Sequence, residues 1–100
     1  MPTFIAIGYG DAEGYERADP EVRDRAHAHD AALRRAGARM WTAQPPAHVR
    51  NTGGGGASHS AGPYMSSALP VAGFTVLEAD DLEHAVTLVS DTPCAVAHGV

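Results

Sequence analysis

Only two stretches of this 100-residue chain carry the spacing of an amphipathic helix, and both are flanked by extended, β-branched segments. That alternation limits the fold more than any single motif. Two helices cover one face of a sheet, so a chain with this pattern leaves the other face bare. Strands are read at 3–9 (TFIAIGY), at 38–43 (ARMWTA), at 47–50 after the Pro45-Pro46 break, and at 71–79 (VAGFTVLEA). A last strand is expected from Val96 to Val100. The first helix is expected over 20–36. Asp19 is its N-cap, Pro20 its first residue, and Gly37 its stop after Arg34 and Arg35. Val22, Ala26, His29, Leu33 and Ala36 fall on one face, which is read as inward, and His27 points elsewhere. The second helix starts at Asp80-Asp81, turns Leu82, Ala85, Val86 and Val89 inward, and ends at Thr92-Pro93. GDAEGYERADP reads as a loop. Gly53–Gly56 reads as a flexible turn between strands; no Lys-Ser/Thr follows it and no helix opens there, so it is not a phosphate cradle.

The order approximates the β-α-β-β-α-β plan, a ferredoxin-like α+β fold in a single domain spanning residues 1–100. The bare sheet face predicts a homodimer with sheets packed face to face. Composition removes other classes of function. A formal charge of −5 argues against non-specific nucleic-acid binding, which needs a basic face. No apolar run approaches a membrane span, and MPTFIAIGYGD lacks the basic start of a signal peptide. One cysteine, Cys94, excludes an internal disulfide framework and a Cys-rich zinc site. A cytoplasmic setting follows as the default. Seven Arg without Lys, and 19 Ala, read as codon pressure in a GC-rich genome. The six His remain as a functional signal.

Several short stretches, taken in order, resemble the YCII-related family and its branch named for an Asp-Gly-Pro-Phe motif. They are Tyr9-Gly10-Asp11, Ala36-Gly37, Gln44-Pro45-Pro46-Ala47 with Val49-Arg50, and Gly62-Pro63-Tyr64. Gly73-Phe74, Asp80-Asp81-Leu82-Glu83-His84-Ala85, Pro93 and Gly99 complete the set. The resemblance implies a dimeric α+β barrel related to muconolactone-isomerase-like folds. In some relatives it also implies acid–base chemistry by a His and an Asp on small ring acids or chlorinated aromatics. The chain departs from the pattern in three places. Ala61 stands where the motif begins with Asp, and Ser66 where a Glu commonly follows. Ala26, beside His27, stands where some members carry His. The family's last strand also runs several residues past its Gly, whereas this chain ends at Val100.

Three histidines are candidate proton carriers, because imidazole titrates near neutral pH. His29 lies on the helix face read as inward; the plainer reading is a core histidine bonded to the backbone. His48 either crosses the sheet or is an exposed strand residue. His59 stands with Ser60 and Tyr64 where the family's acid would be, as hydrogen-bonding groups or as a loop tip. Arg50 can clamp a carboxylate, or be a solvated cation. Trp41 and Tyr9 can line an aromatic cavity, or belong to the core or the dimer interface. His27 and His29 diverge on a helix, so no purpose-built metal site is expected, and no cofactor. The expected function is a small-molecule pocket doing cofactor-free isomerase- or lyase-type chemistry on a small cyclic or aromatic acid. Its rivals are a non-catalytic ligand-binding or accessory protein that has lost the acid, and a purely oligomeric scaffold.

Overall fold

A computed structural model describes residues Met1–Val100. Strand β1 (Thr3–Tyr9) lies antiparallel to a strand late in the chain, Val71–Glu78. Opposed residues of an antiparallel pair share a face. Phe4, Ala6 and Gly8 therefore lie on one side and Ile5, Ile7 and Tyr9 on the other. A bulge at Ala72 separates the pairs Gly8–Gly73 and Tyr9–Val71.

The stretch after β1, which reads as a loop, holds helix α1 (Ala12–Arg17). Six residues containing Gly14 show no periodicity, but the Asp11 carboxylate accepts the Gly14 N–H at 2.8 Å and caps the turn. Helix α2 (Pro20–Arg35) follows where its signals put it, with the Asp19 carboxylate accepting from Glu21 N–H at 2.8 Å. Ala26 and Leu33 are buried, Val22 and His29 half-buried, and Ala36 exposed. Tyr15 of α1 and His27 of α2 form a hydrogen bond of 2.5 Å across the exposed side.

Strand β2 (Arg39–Thr42) adds antiparallel to the Val71–Glu78 strand. Strands β3 (Ala47–Arg50) and β4 (Ser58–Ala61) then leave that sheet and pair only with each other. The Val71–Glu78 strand is β5, and the main sheet has the order β1-β5-β2. The turn between β3 and β4 holds a short 3₁₀ segment, Thr52–Gly54, and the Asn51 side chain accepts the Gly56 N–H at 3.0 Å.

Helix α3 (Leu82–Val89) is capped by the Asp81 carboxylate on His84 N–H. Ala85 is buried, but Leu82 and Val86, which periodicity turns inward, are 67% and 57% exposed. The final strand is also replaced. Pro93 begins a helix rather than ending one, because its missing N–H costs nothing at a first helical position. Helix α4 (Pro93–Ala97) occupies the segment, and the sheet gains only a single bridge, Tyr9–Gly99.

The fold is thus α+β, with antiparallel sheets and four helices where the sequence reading has two. Its core is small. Ala26, Leu33, Leu77, Ala79 and Ala85 are the buried apolar residues. All helices that contact the sheet lie on its Phe4–Ala6–Gly8 side. On the other face Ile7, Phe74 and Trp41 form one row across three strands, with Phe74 and Trp41 stacked at 5.2 Å. Ile5 is 68% exposed on that face. No helix is long and apolar enough to cross a membrane.

Candidate functional site

Glycines let α4 approach β1 and α1 closely. A Cβ on Gly8 would stand 2.7 Å from Cys94 Sγ, and one on Gly10 2.6 Å from His98 Nδ1. A Cβ on Gly14 would overlap the His98 ring outright. This seating puts Pro93 and Cys94 between two cavities.

The first cavity, about 190 Å³, is a cleft between α2 and the covered face of the sheet. Met40, Thr42 and Thr75 form its floor. Asp30 and Arg34 line it from α2, one helical turn apart, and Thr92 and Cys94 line it opposite. Burial raises the Asp30 carboxyl above its ordinary range, against the pull of Arg34, His27 and His29. A carboxyl held in that way is suited to give and take a proton. The Cys94 thiol is also raised, by burial and then by the charge of Asp30. It stays protonated at neutral pH and is a poor nucleophile.

The second cavity, about 270 Å³, lies between α1 and α4. His98 Nε2 is buried there without a hydrogen bond, 3.4 Å from Asp11 Oδ1. Asp11 is held below the usual carboxyl range, first by the Gly14 N–H and then by the charges of His98 and Arg17. The pair lies where α4 packs on α1.

The residues singled out from the sequence separate into three groups. Trp41 borders the cleft as part of β2, but its ring lies on the opposite face of the sheet against Phe74, while Tyr9 pairs with Val71 at the end of the sheet. His29 does not line either cavity. Its Nε2–H donates to the Leu88 carbonyl at 2.6 Å, tying α2 to α3 as a core histidine would. The others lie on the β3–β4 hairpin. His48 and Ser60 are paired across it, and His48 Nδ1–H donates to the Gly62 carbonyl at 3.2 Å. The Tyr64 ring is 6.2 Å from the His48 ring and carries the Arg50 guanidinium 6.0 Å from its centroid. His59 pairs with Val49 and so lies on the opposite face from His48. The hairpin thus gathers His48, Arg50, Ser60 and Tyr64, but away from the cleft.

Asp30, Arg34 and Asp11–His98 are the groups that the sequence reading missed. Asp30 and Arg34 are spaced as neighbours on one helix face, a signal masked by the apolar face read through His29. No three His, Cys, Asp or Glu side chains converge as a metal cluster. No protein-family model matches the chain, and no curated protein matches its sequence.

Proposed function

We propose that this chain is one subunit of a dimeric α+β barrel that takes a small organic acid into the α2–sheet cleft. There it carries out cofactor-free proton transfer of the isomerase or lyase type. Arg34 holds the ligand's carboxylate, and Asp30 moves the proton, the role first assigned to His29. The observation that carries this reading is the pair itself: a carboxyl raised by burial, one helical turn from a guanidinium, in a cleft whose other walls mix threonine and apolar side chains. Its size supports a small ligand, since about 190 Å³ is below the ~300–1,000 Å³ of pockets for drug-sized molecules.

The ferredoxin-like reading is supported by the β1-β5-β2 order and by the Tyr9–Gly99 bridge, which lies where a fourth strand would pair. The YCII resemblance is supported by the order and spacing of its motifs. Dimerisation through the Ile7–Phe74–Trp41 face is supported by surface area. The chain exposes 7012 Å², whereas a compact monomer of its mass exposes roughly 5,400 Å². The excess, roughly 1,600 Å², is about twice the ~800 Å² that each partner contributes to a standard protein interface. A cytoplasmic setting accords with the single free cysteine.

One observation favours the non-catalytic rival: no histidine lines the cleft, so Asp30 has no second proton carrier beside it. A thermal-shift screen of small aromatic and lactone acids, followed by turnover assays, separates the two. Arg34→Met abolishes binding under either reading. Asp30→Asn keeps binding and loses turnover if the protein is an enzyme. Binding with no turnover by the unaltered protein selects the rival, and no binding by any such acid overturns the ligand class.

A further inference from the structure

The β3–β4 hairpin stands apart from the rest of the molecule. No helix and no strand of the main sheet packs substantially against it, and every residue from Asn51 to Ala61 is exposed. A lone two-stranded hairpin is at best marginally stable in water. Its apolar side chains have no cover within the chain: Val49 is 65% exposed, Tyr64 66% and Met65 77%. The radius of gyration is 15.8 Å, against about 13 Å for a compact chain of 100 residues.

A second surface has the opposite character. Beside β1 and α3 runs an apolar groove of about 370 Å³, lined by Phe4, Ile5, Leu77, Leu82, Val86 and Val89. The outer edge of β1 pairs with nothing but Gly99, which leaves backbone N–H and C=O groups open from Thr3 to Ile7. Glu78, Asp80, Asp81 and Glu83 crowd one end of α3. Charge divides in the same way. Between Arg39 and Glu78 the one side chain among Asp, Glu, Lys and Arg is Arg50, while all twelve acids lie outside that segment.

We propose that the hairpin is an arm that docks in the β1–α3 groove of a second copy of this chain. Val49 enters the groove, a hairpin strand adds to the open edge of β1, and Arg50 approaches the partner's acidic end of α3. Two arms in two grooves give a closed, symmetric exchange. The excess surface noted above is about twice one partner's share of a standard interface, which leaves area for such an exchange besides the sheet face. This rests on the self-association proposed above and adds where the arm goes.

Isotope-filtered NMR on a mixture of ¹³C-labelled and unlabelled protein tests it. The expected result is intermolecular contacts from the Val49 and Met65 methyls to Leu82 and Val86. Val49→Glu and Val86→Glu, both at exposed positions and checked for folding by circular dichroism, each raise the dimer Kd at least tenfold. Phe74→Glu probes the sheet face instead. A dimer weakened by Phe74→Glu, but unmoved by either valine variant and lacking those contacts, overturns the arm and keeps the sheet-face dimer. A monomer by light scattering at tens of micromolar overturns both.

Discussion

The body of this protein and its β3–β4 hairpin are built on different terms. The body holds every buried residue, all twelve acids and six of the seven arginines. Its elements hold each other through side chains that reach across the sequence, such as His29 to Leu88 and His98 against Asp11. The hairpin holds itself through backbone pairing and a few local rings. Residues chosen for chemical type alone fall mostly on the hairpin. Residues placed by packing, such as Asp30, fall in the body. Chemical type marks what a side chain can do, but only burial and neighbours give a group a shifted proton affinity.

The sharpest way to break this contrast is through the core. Leu33 and Leu77 are 6% and 4% exposed. Truncating either to Ala costs about 2–5 kcal/mol, a large part of the stability of a domain this size. Ser60→Ala on the hairpin changes stability by less than about 0.5 kcal/mol. Urea unfolding measures both, and equal effects would erase the distinction.

The next largest effect tests the glycine seat of α4. Gly8→Ala and Gly14→Ala drive a methyl into Cys94 and into the His98 ring. Each destabilises by about 1–3 kcal/mol, and each speeds amide exchange in α4. Gly56→Ala meets nothing within 4 Å and leaves unfolding unchanged. A tolerated Gly14→Ala would mean that α4 does not lie against α1.

These positions also show what was legible in the sequence. Helix α2 was, because a cap, a first-turn proline and a terminal glycine agree with its period. Strands β1, β2, β3 and β5 were, to within a residue or two, because β-branched or aromatic runs end at Gly and Pro. Strand β4 was not, since Ser58–Ala61 holds no β-branched or large apolar residue, and the strand read at Val96–Val100 is overtaken by α4. Helices α1 and α4 were not. Six and five residues are too few for a period, and Pro93 reads as a stop although it is a start. Leu82 and Val86 share the apolar period of Ala85, yet only Ala85 is buried, because a short helix against the edge of a narrow sheet covers a narrow strip. The site was not legible: Trp41 lies on a strand that borders the cleft, but its ring faces the other side of the sheet. Helical spacing placed His29 inward, but the same turn carries Asp30 into the cleft. One residue is about 100° of rotation, finer than an apolar stripe can assign.

Within the body, pH sharpens the reading of the two carboxyls, because their shifts have opposite signs. Asp30 is raised by burial, so the fold disfavours its ionised form. Its contribution to stability is fully present below the ordinary carboxyl range and is lost as pH rises through the raised value. Asp30→Asn therefore makes the protein more stable than the unaltered chain at pH 7, by less than about 1 kcal/mol given its partial exposure, and no different at pH 3. Asp11 is lowered. Its contribution is present above the ordinary carboxyl range and fades as pH falls through the lowered value. Asp11→Asn thus loses stability at pH 7 and converges with the parent in acid. Melting temperatures across pH 3–7 check both, and shifts of the same sign would refute the cleft environment assigned to Asp30.

The smallest effect belongs to the glycine turn of the hairpin, where two neighbouring changes should differ in sign. Gly53 has φ 78° and ψ −2°, a left-handed conformation that a Cβ strains. Gly55 has φ −86° and ψ −6°, which any L-residue adopts. Neither has a neighbour within 4 Å of an added methyl, so packing plays no part. Gly53→Ala therefore weakens the hairpin by about 1–2 kcal/mol through backbone strain alone. Gly55→Ala strengthens it by about 0.4–1 kcal/mol, by removing freedom from the open state. Both effects stay local, because the hairpin shares no core with the body. Amide exchange at His48 and Ser60, a hydrogen-bonded pair of the hairpin, should rise in the first variant and fall in the second, while the melting temperature of a dilute, monomeric sample stays unchanged. A shift in that melting temperature with either variant would show that hairpin and body unfold as one unit.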